Sequence, residues 1–156
     1  MLLQLEISSQ TNTHVIEKIN LMPTQSHPFD VVVIGSLNAD LVVSTPRFPV
    51  SGETITGSSM HIHCGGKGAN QAYAAASAGG RVAMIGHVGK DQFGADLKQN
   101  LQHHGVDTTH IKTLPNLSTG IALIEVVTSG ENRIIVIPGA NGTYVSAYIN
   151  EAAPII

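Results

Sequence analysis

The chain has 156 residues, of which 42% are hydrophobic and 12% are charged, and its net charge is −3 with a pI near 6.2. This length corresponds to one ordinary domain, and the low charge excludes disorder of the highly charged, poorly hydrophobic kind for most of the chain. Acidic residues outnumber basic ones, so the chain has no net positive charge to attract a nucleic acid or an anionic membrane surface. We therefore predict a globular protein that binds neither.

The number of cysteines and the N-terminal residues indicate the cellular compartment. Cys64 is the only cysteine, so no internal disulfide can form. Residues 1–6 lack the basic region and long apolar run of a signal peptide, and no apolar run approaches the roughly 20 residues that cross a bilayer. The sequence predicts a cytoplasmic protein.

Residues 1–29 differ from the rest of the chain. Polar runs at residues 8–13 and 23–28 flank a short helical pattern at residues 15–21. Short β-branched runs separated by glycines begin only at Val31. We predict that residues 1–29 form an extension outside the fold.

Residues 31–34 predict a strand that is buried on both faces, as in a parallel sheet. A loop is predicted over residues 36–40, followed by an extended stretch at residues 41–44. Residues 53–56 and 60–64 predict further short extended pieces of a small accessory hairpin.

Helices and strands alternate after this hairpin. A helix is predicted at 69–78 after Gly65–Gly68, and a strand at 81–85. Asp91 is the predicted N-cap of a second helix, in which Phe93, Leu97 and Leu101 form an apolar stripe. A hairpin at 120–127 and 133–138 and a helix at 145–153 follow. This order predicts an α/β domain with right-handed crossovers. Because a crossover helix leads to a further strand, we expect the α/β unit to be incomplete.

Asn38 and Asp40 follow the first predicted strand. Open α/β sheets bind ligands at the carboxyl ends of their strands, and an amide beside a carboxylate can hold adjacent hydroxyl groups. The alternative is an Asx turn in which Asn38 binds its own backbone.

A glycine-rich loop, residues 65–70, opens the first helix. Its glycines allow a ligand to approach the backbone, the helix N-terminus offers free N–H groups, and Lys67 and Asn70 add donors. It is neither a Walker A loop nor a dinucleotide fingerprint, because the required glycines and hydroxyl residue are missing. The alternative is a turn that only permits tight helix packing.

Several other side chains favour structural roles. On a strand, His61 and His63 share one face while Cys64 points to the other, which argues against a shared metal site. His103 and His104 suit a helix C-terminus, where a protonated imidazole interacts favourably with the helix dipole. Glu125 is either an interface group or an exposed strand carboxylate. No nucleophilic triad is visible.

The ordered set of motifs resembles the N-terminal half of the ribokinase group in the PfkB-like carbohydrate kinase family, over about residues 30–156. The matching segments are Gly35–Asp40, Gly52–Thr54, Gly65–Ala72, Gly86–Gly94, Ser118–Ala122, Gly130–Asn132 and Gly139–Asn141. Each motif is weak alone, but their order and spacing are specific.

The resemblance implies a Rossmann-like α/β ribokinase fold with a small β-sheet lid built from residues around 41–64 and 119–138, which often forms a homodimer. It also implies phosphorylation of D-ribose at its 5-hydroxyl by ATP, with Mg²⁺ and a monovalent cation such as K⁺. The implied substrate-binding residues are Asn38, Asp40, Gly66, Lys67, Gly68 and Asn70.

Family members are roughly twice as long, and their later half supplies the catalytic aspartate, the anion hole, and the magnesium and adenine sites. None of these is found in this sequence, and neither Asp91 nor Asp107 can be assigned as the base. We therefore expect no activity from the 156-residue chain alone. Two alternatives stay open: a non-catalytic remnant or isoform with partial sugar binding or lid-mediated dimerisation, and a PfkB-type kinase for another sugar or a nucleoside.

Overall fold

A computed structural model of the chain describes residues 27–143, 149–150 and 153–156. Its strands are β1 (Val31–Ile34), β2 (Asn38–Thr45), β3 (Ser59–Gly65), β4 (Val82–Gly89), β5 (Val106–Asp107), β6 (Ile111–Leu114), β7 (Gly120–Val127) and β8 (Asn132–Ile137). Its α-helices are α1 (Lys67–Ser77) and α2 (Gln92–His103), and short 3₁₀ helices cover Gly139–Thr143 and Ala153–Ile155. In this part of the chain no helix is long and apolar enough to cross a membrane.

The main sheet is built around β4, all eight residues of which are buried. β1 runs parallel to β4 on one side, while β5 pairs with the start of β4 and β6 with its end, also in parallel. A parallel strand that is covered on both faces needs a nearly continuous apolar run, and residues 82–85 supply it. The sequence therefore predicts this strand well, although it extends to Gly89 rather than ending at Ile85.

Helices α1 and α2 cover one face of the main sheet. Their buried residues join one hydrophobic cluster with the strands: Val33, Leu37, Ala69, Ala72, Val82, Met84, Val88, Leu97, Leu101, Val106 and Ile111. The small side chains of α1 allow its backbone to lie close to β1 and β4. In α2 the predicted cap is confirmed, since the Asp91 carboxylate accepts a hydrogen bond from the Gly94 backbone N–H at 2.9 Å.

A second, small sheet has the strand order β3-β2-β7-β8. β2 is antiparallel to β3 and parallel to β7, and β7 is antiparallel to β8. The hairpin of residues 120–127 and 133–138 is thereby confirmed within one residue. The small sheet joins the two segments that the resemblance assigns to the lid.

Four details of the sequence-based prediction are corrected. Residues 38–40 are not in a loop but begin β2, because their backbone pairs with both β3 and β7. Residues 53–56 are not extended in a strand, and β3 belongs to a four-stranded sheet rather than an isolated hairpin. The short strands β5 and β6 were not predicted. The predictions for residues 1–26 and for most of the helix at 145–153 lie outside the described residues.

One edge of the main sheet is open within the described part of the chain. There β1 pairs only with β4, and Val31 and Ile34 are 39% and 42% exposed. Exposed apolar residues on an unpaired edge are suited to a neighbouring strand.

Candidate sugar-binding site

A cleft of about 390 Å³ lies between the inner face of the small sheet and the N-terminus of α1. Five of the six predicted site residues line it: Asn38, Asp40, Gly66, Lys67 and Asn70. Residues from the strand and from the glycine-rich loop therefore meet in one place, although up to 32 positions separate them. The sixth, Gly68, is buried beside Gly35 and is not among the lining residues.

Asn38 and Asp40 point to the cleft from β2. Alternation along the strand puts both side chains on one face, while Ala39 between them is buried with 2% exposure. Asn38 is paired with Gly65 of β3 on one side and Gly120 of β7 on the other. Two glycines therefore flank Asn38 and leave space around its side chain.

The carboxylate of Asp40 fills the space beside Gly65. A Cβ atom at Gly65 would lie 2.0 Å from Asp40 Oδ2, so only glycine permits this position of the carboxylate. Burial raises the pKa of Asp40 above its usual 3.8, and the nearby His63 acts in the opposite direction. A partly desolvated carboxylate is a strong acceptor for hydroxyl donors because little water competes for it.

The glycine-rich loop directs positive charge at the cleft. Gly66 has a φ of 95°, which favours glycine, and its Cβ would lie 2.6 Å from the Ser36 carbonyl oxygen. Helix α1 then begins at Lys67 with no acidic residue in its first turn. A lysine beside the positive end of a helix dipole costs helix stability but favours an oxygen-rich ligand.

Asn141 also lines the cleft, although it is not among the six predicted site residues. Its side chain hydrogen-bonds to the backbone of Leu37 and to the side chain of Asn38. A signal for Asn141 is present in the sequence, because Gly139–Asn141 is one of the segments that carry the family resemblance. A motif after a hairpin does not by itself indicate which strand its side chains contact.

Apolar side chains of β7 and β8 form the remaining wall. Ala122 and Ile124 of β7 are paired with Val136 and Ile134 of β8, and all four line the cleft. Ile134 and Val136 are 53% and 56% exposed. A half-exposed apolar wall facing polar side chains can exclude water once a ligand occupies the cleft.

The remaining candidates have structural contacts. His61 and His63 stack with ring centroids 6.2 Å apart on one side of β3, as alternation predicts. His104 directly follows α2, and its Nδ1 atom lies 2.8 Å from the Asn100 carbonyl oxygen. The centroid of its ring is 4.6 Å from that of Tyr73. Glu125 is half-buried and accepts a hydrogen bond from the Thr45 hydroxyl, so it is not simply an exposed carboxylate.

The two aspartates considered as bases are both engaged in local hydrogen bonds. Asp91 accepts from the backbone N–H groups of Gly94 and Thr119 and from the Thr119 hydroxyl. Burial raises the pKa of Asp91, but these hydrogen bonds outweigh it and the net pKa is lowered. Asp107 accepts from the Thr109 N–H at 2.8 Å in an Asx turn.

Comparison with known proteins matches this architecture to a family. The family model for pfkB family carbohydrate kinases matches residues 29–155. The chain is 49% identical over 111 residues to the ribokinase of Haemophilus influenzae, covering 71% of this chain and 36% of that protein. It is 43% identical over 112 residues to the deoxyribokinase of Salmonella typhi, covering 72% and 37%.

A solved structure is similar to this chain over the same part of its length. The ribokinase of Arabidopsis thaliana complexed with ribose and ATP superposes with a TM-score of 0.66 at 36% identity, covering 71% of this chain and 36% of that one. The fold is therefore a partial ribokinase fold, with a small sheet beside the cleft. The chain belongs to the pfkB family of carbohydrate kinases. It spans less than two fifths of the length of these three relatives.

Proposed function

We propose that the chain is the sugar-binding half of a ribokinase-type enzyme that transfers the γ-phosphate of ATP to the 5-hydroxyl of D-ribose, giving D-ribose 5-phosphate. One observation carries the proposal: Asn38 and Asp40 of β2, and Lys67 and Asn70 of α1, converge on one cleft under the small sheet. The similarity to ribokinases, one of them complexed with ribose and ATP, supports this substrate and co-substrate.

The cleft suits a polyhydroxyl ligand. Each sugar hydroxyl both donates and accepts hydrogen bonds, so it is best held between an acceptor and a donor. Asp40 supplies the acceptor, while Lys67 and the amides of Asn38 and Asn70 supply donors. The apolar wall of β7 and β8 faces the less polar side of the sugar and keeps water from competing for the phosphoryl group.

The described residues show no metal centre beside the cleft. Among them no group of three His, Cys, Asp or Glu side chains could hold a metal ion, and Asp40 is the only carboxylate that lines the cleft. Mg²⁺ and K⁺ are implied by the family alone. Asp91 is engaged by Gly94 and Thr119 and is not among the residues that line the cleft. We propose that the 156-residue chain alone binds sugar without turnover.

The first test is titration of the purified 156-residue chain with D-ribose by calorimetry, with circular dichroism to verify folding and an ATP-consumption assay on the same sample. Saturable ribose binding without ATP consumption is the expected result. The Asp40→Ala variant serves as the matched negative control, because it removes the acceptor and is expected to keep the fold, which circular dichroism verifies. A folded chain that binds no ribose would contradict the proposal.

A second substrate has specific support. The similarity to a deoxyribokinase favours 2-deoxy-D-ribose as the alternative sugar. The same titration with 2-deoxy-D-ribose distinguishes the two, since a site that holds the 2-hydroxyl binds ribose more tightly. A nucleoside serves as the third ligand of the panel and tests the remaining alternative within the family.

We also propose that the outer face of the small sheet forms a homodimer interface. Leu123 of β7 is paired with Ile135 of β8 on the face opposite the cleft residues, and the two are 39% and 65% exposed. Exposed apolar residues on a sheet favour association. Light scattering of the wild-type chain and of Ile135→Glu tests this: a monomeric wild type would contradict it.

A further inference from the structure

Asn141 lies in the 3₁₀ helix after β8 and reaches the segment between the two sheets. Its Oδ1 atom accepts a hydrogen bond from the backbone N–H of Leu37 at 3.0 Å, and its Nδ2 atom donates to the Leu37 carbonyl at 2.9 Å. The same Nδ2 atom donates to Asn38 Oδ1 at 2.7 Å. One amide therefore holds both backbone groups of Leu37 and the side chain of Asn38.

The backbone contacts determine how the Asn141 amide is oriented. A flipped amide would place its oxygen against the Leu37 carbonyl and its NH₂ group against the Leu37 N–H, which loses both hydrogen bonds. The NH₂ group of Asn141 must therefore face Asn38. It can be satisfied there only by an acceptor, so the side-chain oxygen of Asn38 is turned toward Asn141 and its own NH₂ group is turned away.

Neighbouring contacts hold this arrangement in place. The 3₁₀ helix is held by the Ala140 N–H, which donates to the Ser118 carbonyl at 2.8 Å, and by Thr143, whose hydroxyl lies 2.9 Å from His87 Nδ1. Gly120 provides the space, because a Cβ there would lie 2.1 Å from Asn141 Nδ2 and 2.5 Å from Asn38 Oδ1. These contacts restrain the position of Asn141, and none of them involves a ligand.

We propose that Asn141 is a positioning residue that holds Asn38 as a hydrogen-bond donor toward the cleft. Asn38 then donates while Asp40, two residues along the same strand, accepts, so the pair presents opposite polarities to the ligand. A pair of adjacent hydroxyl groups fits this order, with one hydroxyl oxygen accepting from Asn38 and the neighbouring hydroxyl donating to Asp40. This inference rests on the proposed sugar-binding function and adds to it which partner group sets the polarity of the site.

The first experiment needs no sugar. In the isotope-labelled 156-residue chain, NMR is used to detect the scalar coupling across the hydrogen bond from Asn141 Nδ2 to the side-chain carbonyl carbon of Asn38. A measurable coupling in the sugar-free protein is expected. Its absence, with the Asn141 side-chain signals assigned, would overturn the inference whether or not the chain binds ribose.

The second experiment is a double-mutant cycle on D-ribose affinity. Asn141→Ala is expected to weaken binding about tenfold, equivalent to about 1.4 kcal/mol. In the Asn38→Ala background the same substitution is expected to have almost no further effect, because Asn141 acts through Asn38. Equal losses in both backgrounds would show a general structural role and overturn the inference.

Two further variants keep the cycle interpretable. Asn141→Ala removes two hydrogen bonds to the backbone of buried Leu37. Asn141→Asp retains the acceptor for the Leu37 N–H and replaces the alanine variant if that variant does not fold. Asn116→Ala, at an exposed position outside the cleft, is the matched control and should retain wild-type affinity. A wild-type chain without ribose affinity would contradict the proposed function, and the NMR coupling would then decide the inference by itself.

Discussion

The position of Asp40 can be tested without changing Asp40. Gly65 lies on the neighbouring strand, and a methyl group there would be 2.0 Å from Asp40 Oδ2. An ordinary contact requires at least 3.4 Å, so Gly65→Ala must displace the carboxylate by about 1.4 Å. The substitution therefore keeps every functional group and moves only the acceptor.

The expected magnitude follows from the hydrogen bond that is lost. A hydrogen bond to a charged acceptor contributes about 1.5–3 kcal/mol, so losing it weakens binding about 10- to 150-fold. A carboxylate displaced by more than 1 Å no longer reaches the same hydroxyl, and we expect Gly65→Ala to weaken D-ribose binding by an amount within this range. The double variant with Asp40→Ala should bind no more weakly than Asp40→Ala alone.

Calorimetric titration with D-ribose measures both effects, and circular dichroism confirms that each variant is folded. Gly142→Ala is the matched control, because the nearest atom to its new Cβ is Pro138 Cβ at an ordinary 3.8 Å. A folded Gly65→Ala protein whose ribose affinity stays within twofold of wild type would refute the assignment of Asp40 as the sugar acceptor at its observed position.

Three further predictions follow from the same contacts. Ribose needs the ionised form of Asp40, and burial raises the pKa of this carboxyl above 3.8. Affinity for ribose should therefore fall as the pH is lowered from 7 to 4 and Asp40 becomes protonated. The Asp40→Asn variant should lose this pH dependence in the same titrations. Lys67→Met should weaken ribose binding, whereas unchanged affinity would leave Lys67 with a packing role only. Asp91→Ala removes the helix cap and the acceptor for the N–H and the hydroxyl of buried Thr119. The free energy of unfolding measured with urea should fall by about 2–4 kcal/mol, and a fall below about 1 kcal/mol would contradict the importance of this contact.

Local patterns in the sequence predicted the elements that depend on local interactions. The run at Val31, the glycine stop after the alanine-rich helix, and the cap at Asp91 each produce the predicted element because near neighbours determine it. The hairpin of β7 and β8 was predicted for the same reason, since a short glycine-containing turn joins its strands. The family resemblance predicts that residues of β2 and of the glycine-rich loop lie together, and five of its six named residues line the cleft.

Pairing between distant segments could not be predicted from these patterns. β2 lies parallel to β7, although about 80 residues separate their paired positions, and this contact is what turns the predicted loop at Asn38 into a strand. The very short strands β5 and β6 have too few residues for a periodic pattern to show. Asn141 was missed for a related reason, because its partners at Leu37 and Asn38 are more than 100 positions away.

Glycines explain why the polar residues of this site can come together. Gly65 makes room for the carboxylate of Asp40, and Gly120 makes room for the contact between Asn38 and Asn141. At the other side of the cleft, a Cβ at Gly68 would lie 2.7 Å from the backbone of Gly35, so a glycine there lets α1 begin against the end of β1. A larger residue at any of these three positions would separate the polar groups while leaving their chemistry unchanged. Substituting these glycines therefore tests the geometry of the site, whereas substituting the polar residues tests only their presence.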